Sequence, residues 1–356
     1  MPRKLIGWNK CIMALLTICS NGNLFFIILL LKNPDQLGGV ILTLRFIDLF
    51  SGIGGMRLAF EDNFTKCVFS SEWDKHAQKT YSSNFGDMPF GDITEIEAKD
   101  IPEHDILLGG FPCQPFSHIG KREGFTHETQ GNLFFEIIRI LNYHQPPMLL
   151  LENVPGLLTN DEGRTFEIVK DELNKANYNI FYKVLDAQDF GLPQVRKRIL
   201  IAGFHKGLNI ESFDFPEGNI DDNKFINEFL EKNPKGYSIS KKLQDSYLFK
   251  KNDGKPQIVD EKSKIPIKTL VSTYHKIQRL TGTFVKGGET GLRLLSELEC
   301  KRVMGFPEDF IVPVSRTQMY RQFGNSVAVP VIKEVADCMK DKYYKKCKDY
   351  QLSLFI

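Results

Sequence analysis

From Leu44 to Phe204 short aliphatic runs alternate with amphipathic helix patterns, and this alternation narrows the fold more than any other feature of the chain. The runs Leu44 to Phe50, Cys67 to Ser70, Asp105 to Leu108, Met148 to Leu151, Ile180 to Leu185 and Ile199 to Phe204 have strand length. Between them, Met56 to Phe60, Leu133 to Tyr143 and Thr165 to Lys175 carry apolar residues at helical spacing. Strand, helix, strand in succession implies crossover connections, and hence an α/β fold with a doubly wound, mostly parallel sheet. Such sheets place ligands at the carboxyl ends of their strands. Those ends are therefore where functional residues are sought.

The first strand runs into Phe50-Ser51-Gly52-Ile53-Gly54-Gly55 and then a helix, a turn that lets backbone approach a ligand closely. The second ends in Glu72-Trp73, about twenty residues further on, where an acid can grip a ribose hydroxyl. Asp92 in Gly91-Asp92-Ile93 stands where an adenine amino group could be held, and Trp73 offers a ring to pack on adenine. A dinucleotide and an adenosyl cofactor both satisfy this pattern. The next strand enters Gly109-Gly110-Phe111-Pro112-Cys113-Gln114-Pro115-Phe116-Ser117, where two prolines stiffen a loop that displays one thiol. The strand Met148 to Leu151 ends in Glu152-Asn153-Val154, so a thiol and a carboxyl converge beside the cofactor loop.

Composition sets the remaining bounds. Seven cysteines without regular spacing argue for a reducing compartment rather than a disulfide framework, and no Cys-x-x-Cys pair or histidine cluster offers a metal site. A net charge of +2 decides nothing about nucleic acid, because phosphate binding depends on where basic residues gather. Residues 1–42 differ from the rest: Arg3, Lys4 and Lys10 precede the apolar runs Ile12 to Ile18 and Leu24 to Leu31. A membrane span needs roughly 20 uninterrupted apolar residues, and neither run reaches that. The segment is expected to be an upstream extension without a functional role.

Five motifs taken together resemble those of bacterial DNA cytosine-5 methyltransferases of type II restriction-modification systems. They are the Phe-x-Gly-x-Gly-Gly loop at Phe50 to Gly55, Pro-Cys-Gln at Cys113, Glu-Asn-Val at Glu152, Gln-x-Arg-x-Arg at Gln194 to Arg198, and Arg-Gln-Phe-Gly-Asn-Ser-Val at Arg321 to Val327. The resemblance implies a Rossmann-like, S-adenosylmethionine-dependent catalytic and cofactor domain over residues 43–214. It further implies a smaller, loop- and β-rich target-recognition domain over residues 215–295, and a return to the catalytic domain over residues 296–356. One departure is Gln130 before Gly131, where relatives often carry arginine.

The resemblance also assigns roles. Cys113, as thiolate, adds to carbon 6 of cytosine, which activates carbon 5 for methylation. Glu152 relieves the charge developing at ring nitrogen 3, and Arg198 binds the ring carbonyl and steadies that carboxyl. Arg196 joins the catalytic set as the structural or phosphate partner of the pair. The S-adenosylmethionine pocket is assigned to Phe50, Ser51, Gly52, Ile53, Gly54, Gly55, Glu72, Trp73, Asp92, Ile93, Pro112, Leu133, Asn325, Ser326 and Val327. Double-stranded DNA is the implied partner, through Gln114, Ser117, Lys241, Lys242, Lys250 and Lys251, with the target base flipped out of the stack. A monomer without a stable protein partner or membrane contact, paired functionally with a restriction endonuclease in the bacterial cytoplasm and nucleoid, completes the picture. A tRNA cytosine-5 methyltransferase shares the chemistry and is the alternative.

Three local expectations remain. Ile265 to Thr273 reads as the one clear strand of the lysine-rich region beyond Phe204. Ser296 with Glu299 three residues on forms a capping box for a helix to Met304. Ala328 to Met339 reads as a helix, with a solvated, frayed tail after Lys340.

Overall fold

The computed structural model describes residues 12–20, 23–31, 43–111, 133–219 and 224–353. Residues 1–43 form one unit and Leu44–Ile356 another. In the first, β1 (Ile12–Ser20) and β2 (Asn23–Leu31) pair antiparallel, Ile12 opposite Leu31 and Ser20 opposite Asn23. Among the described residues no helix is long and apolar enough to cross a membrane.

The second unit is built on β3 (Leu44–Leu49), α1 (Gly55–Phe60), β4 (Thr65–Ser71), α2 (Lys75–Phe85), β5 (Ile106–Gly110), α3 (Leu133–His144), β6 (Met148–Asn153), α4 (Arg164–Lys175), β7 (Tyr178–Asp186) and β8 (Lys197–His205). Its six-stranded sheet runs β4-β3-β5-β6-β8-β7. The pairs β3·β4, β3·β5 and β5·β6 are parallel, and β8 is antiparallel to both neighbours. The reversal follows from the connection: residues 187–196 contain only a 3-10 turn, too little for a crossover, so the chain doubles back. The expected doubly wound, mostly parallel sheet is therefore present, with one reversed strand.

Side chains along the sheet alternate between two cores. Phe46, Ile106, Leu108, Met148, Leu150, Leu200 and Ala202 face one cluster, while Ile47, Leu49, Leu107, Leu149, Leu151, Ile199 and Ile201 face the other. Ile137, Ile140 and Leu141 of α3 and Val169 and Leu173 of α4 cover the second face. The first face is closed by residues far along the chain, from α5 (Lys241–Leu243) onward through β9 (Gln257–Val259), β10 (Thr283–Lys286), β11 (Leu292–Arg293), α6 (Glu297–Met304), α7 (Arg316–Asn325) and α8 (Val329–Ser353). The large core is thus shared between the amino-terminal sheet and the carboxyl-terminal third. Ser296 and Glu299 make the expected reciprocal capping box on α6.

Two expectations are corrected. Ile265 to Thr273 is not a strand of its own sheet: it makes a single bridge, Ile267 to Gln194, and its backbone bonds to distant segments run to Pro193, Val195 and Ile226. The sheet of this region is instead the short three-stranded β11-β10-β9. Nor is the tail frayed after Lys340, because α8 continues to Ser353. Lys340 Nζ reaches Asp62 Oδ2 at 2.8 Å, and Tyr343 and Tyr344 pack against the core, which gives the extra turns an apolar face to bury.

Candidate active site

The glycine turn after β3 is held by its neighbours before any ligand enters. Ser51 N donates to Ser71 O at 2.9 Å, and Gly52 N donates to Glu72 Oε2 at 2.8 Å. Gly52 has φ +56°, a conformation glycine adopts without penalty, and no atom lies within 4 Å of where a side chain would start. Glu72 accepts a second bond from Asp74 N at 2.8 Å. Burial pushes the Glu72 carboxyl up, opposed by these backbone donors. Phe90 bridges Ser71, so the turn carrying Asp92 and Ile93 lies beside the end of β4. Asp92 caps that turn, accepting from Thr94 N at 3.0 Å. Ile93 is buried, Leu133 and Phe50 pack against the same core, and Trp73 is 70% exposed.

The far end of the chain returns to this turn. A Cβ on Gly55 would lie 2.7 Å from Ser326 Oγ and 2.9 Å from Val327 Cγ2, so Gly55 and Ser326-Val327 are in direct contact. Asn325, just before them, is exposed. Two buried polar atoms nearby, Ser51 Oγ and Asp48 Oδ2, have no hydrogen-bond partner. Open space over Gly52, an acid already bonded to the turn, and orphaned polar atoms below fit a polar nucleoside-type cofactor.

The second half of the site sits on the strands beyond β3, at the ends of β5 and β6 and the start of β8. Gly110 at the end of β5 pairs with Glu152 on β6, and Arg198 on β8 places its Nε 2.9 Å from Glu152 Oε1. Burial raises the Glu152 carboxyl, and the positive charges of Arg198 and Arg196 pull it back. A carboxyl held toward its protonated form beside a guanidinium can donate to a ring nitrogen and stabilise charge there. Asn153 Nδ2 donates to Phe111 O at 3.0 Å while its Oδ1 accepts from Val154 N at 2.8 Å. The chain leaving β5 is thereby fixed where it enters the Pro-Cys-Gln segment. Pro112, Cys113, Gln114, Ser117 and the Gln130-Gly131 departure lie outside the described residues.

Arg196, grouped with the catalytic residues on sequence, is a positioning residue. It is 2% exposed, and its guanidinium donates to Leu270 O at 2.9 Å, to Gly324 O at 3.1 Å and to Ser326 O. Burial lowers its pKa to about 9, which leaves it a cation at neutral pH. Gln194, quoted in the motif but given no role, is fully buried and bonded to Leu270 N and Val303 O. Asp48, near the end of β3 just before the glycine turn, is a buried acid outside every motif named above, and an acid at that place is its sequence signal. Lys241, Lys242, Lys250 and Lys251 are all exposed, with the half-exposed aromatics Tyr247 and Phe249 between them.

A doubly wound sheet with a nucleoside-type turn on one strand and a partly buried acid-guanidinium pair two strands away is the arrangement of an α/β enzyme that brings a nucleoside-type cofactor to a second substrate. Residues 44–341 match the family model described as C-5 cytosine-specific DNA methylase. The chain belongs to that family and is a DNA cytosine-5 methyltransferase. It is 67% identical over 299 residues to Type II methyltransferase M.BsuFI of Bacillus subtilis, covering 84% of this chain and 73% of that one. To Type II methyltransferase M.MspI of a Moraxella species it is 59% identical over 293 residues, covering 82% and 69%. The solved structure of Spodoptera frugiperda DNMT2 superposes with TM-score 0.68 at 22% identity, over 83% of this chain and 99% of that one, a likeness of fold.

Proposed function

We propose that this chain is the modification enzyme of a type II restriction-modification system: it methylates carbon 5 of a cytosine within a short duplex DNA sequence and so shields that sequence from a partner endonuclease. The observation that carries the chemistry is the Glu152–Arg198 pair at 2.9 Å, set beside the strand end that leads to Cys113. The curated relatives are named Type II methyltransferases, which favours DNA over tRNA as substrate. The protein acts as a monomer in the bacterial cytoplasm, at the nucleoid.

S-adenosylmethionine, when bound, supplies an electrophilic methyl group. Glu72 takes the ribose hydroxyls, Asp92 and Ile93 the adenine edge, Trp73 an adenine face, and Ser326 with Val327 the methionine end beside Gly54 and Gly55. Phe50, Ser51, Gly52, Ile53, Asn325, Leu133 and Pro112 complete the walls. The target cytosine is flipped out of the duplex into the space before Glu152. Cys113 adds through its thiolate to carbon 6, and Glu152 donates a hydrogen bond or proton to nitrogen 3, so electron density moves to carbon 5. Arg198 binds the ring carbonyl and keeps Glu152 aimed. After carbon 5 is methylated its proton passes to a solvent water acting as base, the electrons of that C–H bond restore the carbon 5–carbon 6 double bond, and Cys113 leaves as thiolate with the electron pair of the C–S bond. Gln114 and Ser117 contact the DNA around the flipped base, and the four lysines meet phosphates.

A duplex in which the target is 5-fluorocytosine tests this directly, since fluorine cannot leave carbon 5 as a proton does. Wild-type protein with S-adenosylmethionine is expected to form an adduct that survives denaturation, and Cys113→Ser none, while still binding DNA. Methyl transfer to tRNA in preference to duplex DNA would overturn the substrate assignment. Bisulfite sequencing of DNA from cells expressing the chain reads the site.

A further inference from the structure

Two buried polar side chains just before β8 grip the same residue of the lysine-rich region. Gln194 Oε1 accepts from Leu270 N at 2.7 Å, and Arg196 Nη1 donates to Leu270 O at 2.9 Å. Both backbone groups of Leu270 are thus satisfied by side chains of one short segment. Gln194 Nε2 also donates to Val303 O at 2.8 Å in α6. Arg196 Nη2 donates to Gly324 O at 3.1 Å and to Ser326 O. Gly324 itself lies so close to Val271 and Ser272 that a Cβ would overlap their backbone. Ser326 in turn rests on Gly55 of the cofactor turn. A continuous set of contacts therefore leads from Leu270 through Arg196 to Gly55.

The physics of the guanidinium makes these contacts interdependent. Arg196 is 2% exposed, and the hydrogen bonds that its guanidinium donates all go to backbone carbonyls. A buried cation is costly unless its donors are met. If Leu270 shifts when DNA is engaged, either Arg196 follows and carries Gly324 and Ser326 with it, or a buried charge loses an acceptor. The position of the recognition side and the shape of the cofactor pocket are then not independent variables.

We propose that Gln194 and Arg196 are positioning residues that couple DNA recognition to cofactor binding, so that duplex DNA and the cofactor each raise the affinity for the other through Leu270, Gly324 and Ser326. The inference rests on reading residues 215–295 as the recognition region and Ser326 and Val327 as cofactor neighbours. By linkage the coupling is reciprocal and is measured from either side.

The experiment is titration calorimetry of the full chain with S-adenosylhomocysteine, alone and in the presence of a duplex carrying the methylated site. Wild type is expected to bind S-adenosylhomocysteine about tenfold more tightly with DNA present, within the usual range for coupled sites. Arg196→Lys keeps the buried charge but not the planar fork that spans Leu270 and Ser326, and is expected to reduce that factor to about twofold. Gln194→Leu releases Leu270 N and Val303 O but leaves the guanidinium, and is expected to fall between; it carries the test if Arg196→Lys does not fold. Thr269→Val removes the bond from Thr269 Oγ1 to Val195 O at 2.6 Å, at the same seam but without touching the cofactor-side carbonyls, and is expected to keep the coupling. Undiminished coupling in Arg196→Lys and Gln194→Leu overturns the proposal, as does equal loss in Thr269→Val or no coupling in wild type. A wild type that neither binds S-adenosylhomocysteine nor methylates DNA sinks the underlying reading instead.

Discussion

Arg198 Nε lies 2.9 Å from Glu152 Oε1, joining the last residues of β6 to the first of β8 at the carboxyl edge of the sheet. Because β8 runs opposite to β6, the start of one strand meets the end of the other, and the guanidinium arrives without a long loop. Glu152→Gln preserves size and one hydrogen-bond donor but removes the transferable proton. Methyl transfer is expected to fall by about 10² to 10⁴, the usual contribution of a positioned acid, with DNA affinity little changed. Single-turnover rates on duplex DNA check this, and a rate within a few fold of wild type would remove Glu152 from the chemistry.

The buried acid Asp48 makes stability depend on pH. Burial, reinforced by the nearby Glu72 and opposed by Arg57, raises its carboxyl from 3.8 to about 8. A group whose folded pKa is raised binds its proton more readily in the folded state, so its stabilisation is complete below 3.8 and is lost as pH climbs to about 8. Asp48→Asn is neutral at every pH and lacks this dependence. Denaturant unfolding of the two proteins is therefore expected to show wild type losing stability relative to Asp48→Asn as pH rises from 3.8 to about 8, then a constant difference. A flat difference across that range would mean that the carboxyl titrates normally.

Local signals made much of this protein legible in its sequence. The glycine turn after β3 and the Ser296–Glu299 capping box are each set by residues within a few positions of one another, and Glu72 follows β4 directly as its pattern implies, whereas Asp92 caps a 3-10 turn after the isolated bridge at Phe90. The reversal of β8 was hidden because strand direction depends on what a connection lacks. Arg196 was grouped with Arg198 because the two share a motif, yet its partners Leu270, Gly324 and Ser326 lie 74, 128 and 130 residues away. The strands β9, β10 and β11, of three, four and two residues, are too short for any periodicity to declare them.

Two glycines separate the roles of the returning segment. Gly55→Ala would push against Ser326 Oγ and Val327 Cγ2, side-chain atoms with some freedom to yield. Its expected effect is weaker cofactor binding with a modest loss of stability. Gly324→Ala would collide with the backbone of Val271 and Ser272, which cannot rotate away. Overpacking of this kind costs about 1–3 kcal/mol and more when backbone must move, so the larger fall in melting temperature is expected for Gly324→Ala. Equal melting temperatures for both variants would mean that the seam between α7 and Val271-Ser272 is loose.

Specificity is expected to reside in residues 215–295. In the proposed mechanism the glycine turn, Glu152 and Arg198 are all committed to the target base or its methyl donor, which leaves none of them to read neighbouring pairs. Within residues 215–295 the exposed lysines at 241, 242, 250 and 251 flank in sequence the half-exposed rings of Tyr247 and Phe249, residue types suited to phosphates and to base edges. The same region also sends Ile226, Ile239, Leu248, Phe284 and Leu292 into the core shared with the sheet. Exchange for the corresponding segment of a relative that reads a different sequence should therefore keep those apolar positions and the Leu270 contact while replacing the exposed ones. The chimaera is expected to methylate the relative's site at a rate comparable to the parent's. Loss of a single base contact is expected to cost about 1–3 kcal/mol of discrimination at one position of the site. Bisulfite maps from cells expressing the chimaera decide the matter: an unchanged site would move the reading of DNA into the large sheet's own loops.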